Sequence, residues 1–129
     1  MSRILVVEDD PHILRVISLW LTREGHTVIE AANGLIGLEL FQKERPDVLI
    51  TDVNMPGMDG LELLRRVAAT EVAPRGIVVL TNRWDHTEIA AELGQSGVHV
   101  MPKPFSPTKL SELIREIESV GTGAGQKDT

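Results

Sequence analysis

Six polar side chains come directly after apolar runs, where a fold could gather them. Glu8, Asp9 and Asp10 follow "ILVV", Asp52 follows "VLIT", Thr81 closes "IVVLT", and Lys103 follows "VHVMP". If those runs are strands of one open sheet, their carboxyl ends place carboxylates, a hydroxyl and an ammonium on a single rim. Three carboxylates, those of Glu8, Asp9 and Asp52, brought together cannot all stay ionised cheaply without a cation. Oxygen-only donors suit a hard ion, and Mg²⁺ (or Mn²⁺) keeping several of its waters fits such a set. The chain has no cysteine, which excludes thiolate metal sites, thiol catalysis and disulfides. Neither GxGxxG nor GxxxxGK[ST] occurs, so a nucleotide site of those types is not expected.

The elements that must position these groups are legible around them. Strand candidates are residues 3–8, 27–31, 47–51, 76–81 and 98–101. Most are continuous apolar runs rather than strict alternation, the pattern of parallel strands covered on both faces. Between them lie helices with definable starts. Asp10 before Pro11 is an N-cap followed by proline at the first helical position. Asn33-Gly34 opens the second helix, and Pro46 separates it from the third strand. Asp59 with Glu62 makes a capping-box pattern, with Met58 and Leu63 at the flanking hydrophobic positions. Asp85 with Glu88 repeats the pattern, flanked by Trp84 and Ile89, and Ser106-Pro107 starts the last helix, flanked by Phe105 and Leu110. That helix carries Leu110, Leu113, Ile114 and Ile117 on one stripe. Five βα units in succession predict a single doubly wound α/β domain over residues 1–120. Residues 121–129 are glycine-rich and polar and read as a flexible tail.

The segments "VVEDDP", "DVLITDVNMPGMDG", "VVLTN" and "MPKPF", in this order and spacing, resemble the receiver domain of bacterial two-component response regulators. The form resembled is the single-domain, chemotaxis-regulator-like one, over residues 3 to about 120. The resemblance implies a flavodoxin-like parallel sheet of order 2-1-3-4-5 with helices on both faces. It implies that Asp52 is the phosphoacceptor, and that Glu8, Asp9, Asp52 and the backbone carbonyl of Asn54 hold Mg²⁺. Thr81 would hydrogen-bond the phosphoryl group, and Lys103, joined to Pro104 by a cis bond, would pair with it. The donor would be a phosphohistidine of a sensor histidine kinase or phosphotransfer protein. The product would be an acyl phosphate on the chain itself, so no enzyme beyond its own phosphorylation and dephosphorylation is implied. Output would pass to a protein docked on the face of the fourth helix, fifth strand and fifth helix.

Other residues take structural readings. Asp10 is read as a helix cap and not as a third ligand beside Glu8 and Asp9. Trp20 is read as core or rim packing, and His12, His26, His86 and His99 lack ligand spacing. Two positions, Val100 and Asn82, depart from the family pattern. Val100 stands where an aromatic residue or histidine is common, which removes the ring from the usual switch. Asn82 replaces a small residue after Thr81. Arg83, with Asn54, occupies a position that tunes the lifetime of the phosphorylated state.

At 129 residues and a net charge of −6, the chain does not present a broad basic surface for nucleic acid or anionic membranes. No apolar run approaches the ~20 residues of a membrane span, and a cytoplasmic location is expected. Two other functions compete with a stand-alone switch. One is the N-terminal receiver of a larger transcription factor or enzyme. The other is a small Mg²⁺-dependent aspartyl phosphatase, whose Asp-x-Asp signature is replaced here by "EDDP".

Overall fold

The computed structural model describes residues 1–70, 73–81, 98–103 and 106–126, with side chains to residue 119. Asn82, Arg83, the helix start at Trp84 and Asp85, the bond to Pro104, and Phe105 lie outside the described residues. Five strands alternate with helices: β1 (Arg3–Val7), α1 (Pro11–Arg23), β2 (Thr27–Ala31), α2 (Gly34–Glu44), β3 (Val48–Asp52), α3 (Gly60–Ala68), β4 (Gly76–Thr81), β5 (Val98–Pro102) and a C-terminal helix (Pro107–Gln126). All pairings are parallel, in the order β2-β1-β3-β4-β5. The expected architecture is therefore the observed one.

Each central strand is buried because its two faces feed two cores. Leu5, Val7, Leu49 and Val79 pack with Phe41 of α2 and Leu61, Leu64 and Val67 of α3. Ile4, Val6, Ile50, Val78 and Leu80 pack with Ile17 and Leu21 of α1 and with Leu110, Ile114 and Ile117 of the C-terminal helix. Alternate residues of one continuous apolar run thus go to opposite sides, as a sheet covered twice requires. The predicted stripe of the last helix is the surface that closes the second core.

The caps set where the helices begin. Asp10 Oδ1 accepts from the His12 and Ile13 N–H groups at 2.9 and 3.3 Å, and Asn33 Oδ1 from Ile36 N–H at 2.9 Å. Asp59 Oδ1 accepts from Glu62 N–H at 2.9 Å, while the Glu62 carboxylate bonds Arg65 and Arg66. Trp20 seats between the two helices of its face, with its indole N–H on Ser111 Oγ.

Several boundaries differ from those expected, by one residue in the strands and by more at the last helix. The third strand starts at Val48 rather than at residue 47, because Asp47 turns its carboxylate onto the Arg3 N–H (2.9 Å). The same strand ends at Asp52, one residue later than its apolar pattern. The C-terminal helix runs to Gln126, into the stretch whose composition suggests a tail.

Candidate functional site

Parallel strands all end on the same side, so the order of the sheet decides which of their terminal residues meet. Glu8 follows β1 and Asp52 ends β3, and these two strands are adjacent. Thr81 ends β4 beside β3, in register with Pro102 of β5, and Lys103 follows at once. The Lys103 N–H donates to the Thr81 carbonyl at 2.7 Å, which extends the ladder past its last pair and holds the lysine at the rim.

One oxygen each of Glu8, Asp9 and Asp52 lie within 4.8 Å of one another. Glu8 and Asp52 are buried, and Asp9 is exposed. Lys103 Nζ reaches across to Asp52 Oδ2 at 3.0 Å and to Glu8 Oε1 at 3.2 Å. The Asp10 N–H donates to Glu8 Oε2 at 3.0 Å, and the Asn54 N–H to Asp52 Oδ1 at 3.3 Å. Asp10 is thus outside the acidic group, and its carboxylate serves the helix as the sequence suggests. Thr81 is fully buried at the same rim. Val100 is half-buried, opposite Val79, and packs at the edge of the core beneath α2 and α3.

Electrostatics explain what the rim can hold. Burial pushes the Glu8 carboxyl above its ordinary 4.5; the Asp10 N–H opposes this, the Asp52 charge adds to it, and Lys103 offsets part of it. Burial by itself would lower the Lys103 ammonium. The hydrogen bond and charge of Asp52, with Glu8 behind them, outweigh burial and hold it above 10.5. One ammonium against three carboxylates leaves two negative charges uncompensated. An all-oxygen donor set with that surplus fits a hard divalent cation.

The sign of the Glu8 shift gives a prediction. Its folded-state pKa is raised, so in chelator the unfolded chain releases this proton first, and stability falls as pH rises from 4.5 through the folded value. Glu8→Gln removes that slope and is expected to make the metal-free protein more stable than wild type at neutral pH. Urea unfolding in EDTA across that pH range measures both; parallel wild-type and mutant profiles would contradict the assignment.

The residue that sequence reasoning missed is Gly60. A Cβ there would lie 2.3 Å from the Asp52 carbonyl oxygen and 2.9 Å from Val53 Cα. The Gly60 N–H also donates to the Val53 carbonyl at 3.0 Å, so the start of α3 is pressed onto the end of β3. The sequence marks Asp59 as a cap, and only the packing shows that the next position has no room for a side chain against Asp52 and Val53. Gly57, with φ of 78°, supplies the left-handed turn between them.

Comparisons with known proteins agree with this geometry. The response regulator receiver domain model matches residues 4–115. The chain is 36% identical over 126 residues to a chemotaxis protein CheY homolog of Campylobacter jejuni, covering 95% of this chain and 97% of that one. It is 38% identical over 117 residues to the transcriptional regulatory protein AfsQ1 of Streptomyces coelicolor, covering 91% of this chain, and it spans about half (51%) of that relative's length. A response regulator receiver domain protein from Clostridium thermocellum superposes with a TM-score of 0.81 at 28% identity, covering 91% of this chain and 94% of that one. On the family match, the parallel order of its strands and the acidic rim they build, the chain belongs to the response regulator receiver domain family.

Proposed function

We propose that this chain takes a phosphoryl group from a phosphohistidine onto Asp52 and thereby switches its protein contacts. The observation that carries the reading is a carboxylate buried at the end of β3, 3.0 Å from an ammonium and grouped with two further acids. An oxygen of Asp52 attacks phosphorus in line, the P–N bond to the donor histidine breaks, and that nitrogen leaves with the electron pair. Lys103 lies where its ammonium can neutralise charge on the transferred oxygens. Thr81, at the end of the adjacent strand, is assigned the hydroxyl that binds the phosphoryl group. Glu8, Asp9, Asp52 and the Asn54 carbonyl are assigned to hold Mg²⁺, or Mn²⁺ in its place. When bound, the ion supplies the remaining positive charge.

A sensor histidine kinase or phosphotransfer protein is the donor in this reading, in the cytoplasm, and the chain acts on itself without further turnover. Output passes to a protein docked beside β5 and the C-terminal helix, with neither nucleic acid nor membrane as direct partner. Arg83 and Asn82 are proposed to set the lifetime of the acyl phosphate, and Val100 to leave the switch without an aromatic ring. The folded domain is proposed to be residues 1–120, followed by a tail over residues 121–129 whose first residues continue the C-terminal helix.

Incubation with acetyl phosphate is the test. One phosphoryl group per chain is expected with Mg²⁺, and initial labelling slower by roughly 100-fold or more in EDTA, since a metal contributes several kcal/mol to such a transfer. Equal labelling in EDTA would refute the metal assignment. Repeated turnover of a generic phosphomonoester would favour a phosphatase instead.

The likeness to AfsQ1, of which this chain spans about half, supports a second reading as the receiver of a larger regulator. The end-to-end match to the CheY homolog supports a single-domain protein. The native reading frame distinguishes them.

A further inference from the structure

The segment that follows Asp52, residues 53–59, is a loop closed on itself. The Gly60 N–H donates to the Val53 carbonyl at 3.0 Å, so the two ends of the loop are tied together beside the acidic rim. Met55 is buried in the first core, and Met58 packs against that core from its edge. Between them Pro56 and Gly57 are exposed. Asn54 lies inside this closed segment, with its N–H on Asp52 Oδ1 at 3.3 Å.

A different helix meets the loop at its other end. Helix α2 begins at Gly34, a buried residue directly after the Asn33 cap. A Cβ on Gly34 would lie 2.6 Å from the Met58 carbonyl oxygen, 3.0 Å from Met58 Cβ and 3.1 Å from Met58 Cγ. Gly34 does not have a positive φ, so the position demands space and not an unusual backbone. The closest of those atoms is backbone, which no change of rotamer moves aside. The loop is thus held at two places where a side chain is missing: Gly60 of α3 against Asp52 and Val53, and Gly34 of α2 against Met58.

We propose that Gly34 is a positioning residue for the metal site: it lets α2 seat Met58, and the closed loop carries that placement to the Asn54 carbonyl. The inference rests on the assignment of that carbonyl to Mg²⁺ under the proposed function. An alanine at position 34 must push Met58 outward or lift the start of α2. Because the Val53–Gly60 bond fixes the ends of the loop, a push on Met58 is taken up by residues 54–58, and Asn54 is one of them. Groups that orient metal ligands from behind typically change metal affinity by roughly 10–100-fold when altered. The competing role is packing alone, in which the contact joins α2 to the loop and leaves the metal site untouched.

Calorimetric titration of the full chain with Mg²⁺ separates the two. Gly34→Ala is expected to bind Mg²⁺ about tenfold more weakly than wild type. Gly37→Ala is the control on the same helix. Its Cβ would meet the Val7 side chain at 2.8 Å, away from the loop, so it should lose stability and keep wild-type Mg²⁺ affinity. If Gly34→Ala does not fold, Met58→Ala takes its place, removing the other side of the contact without a clash, with an expected loss of about threefold. Wild-type Mg²⁺ affinity in Gly34→Ala, or in Met58→Ala where it stands in, would overturn the proposal, as would an equal loss in Gly37→Ala. A wild type that binds no Mg²⁺ would overturn the metal assignment itself, and this proposal with it.

Discussion

Asp52→Asn is expected to abolish labelling by acetyl phosphate in Mg²⁺. The side chain keeps its shape, but a carboxamide has no anionic oxygen to attack phosphorus and cannot form an acyl phosphate. Loss of a required nucleophile is therefore all-or-none on the timescale of wild-type labelling, a larger effect than removal of any supporting charge. Folding should survive, because Lys103 keeps its contact with Glu8 at 3.2 Å and one buried negative charge is gone. A change in unfolding free energy within about 1 kcal/mol is expected. Intact-mass spectrometry reads the labelling and urea unfolding the stability. Wild-type labelling of the asparagine variant would move the acceptor elsewhere and remove the basis of the proposed function.

Gly60→Ala is expected to have the largest effect from the smallest change. The added methyl would meet the Asp52 carbonyl oxygen at 2.3 Å and Val53 Cα at 2.9 Å, and both are backbone atoms that no rotamer can move aside. Either α3 lifts from the sheet or the end of β3 shifts. Overpacking of this kind costs roughly 1–3 kcal/mol, and a backbone clash belongs at the upper end. The displaced backbone carries Asp52, so labelling should fall along with stability. Gly37→Ala is the matched control. Its Cβ meets the Val7 side chain at 2.8 Å, so it should lose comparable stability while labelling near the wild-type rate. Similar labelling losses in both variants would show that Gly60 matters only through general stability.

The chemistry of the rim was legible because polar residues after buried apolar runs must gather at one end of a parallel sheet. Glu8, Asp9, Asp52 and Lys103 follow that rule, and Asp10 was separable because Pro11 marks a helix start. Contacts between distant backbones were not legible. Nothing in "MDGLE" says that the glycine touches Asp52, just as nothing near Trp20 points to Ser111, 91 residues away. The third strand began one residue late because the Asp47 carboxylate found the Arg3 N–H, a tertiary contact that local pattern does not encode.

The ion pair between Lys103 and Glu8 joins residues 95 positions apart in the chain. Glu8 directly follows the first strand of this domain and Lys103 its last, so the acid is synthesised well before its partner. A nascent chain, or a fragment cut before the fifth strand, carries the Asp52 carboxylate without the ammonium that pairs with it. Under the proposed function, phosphoryl transfer to Asp52 thus waits on closure of the whole sheet, because only then does the ammonium stand beside it.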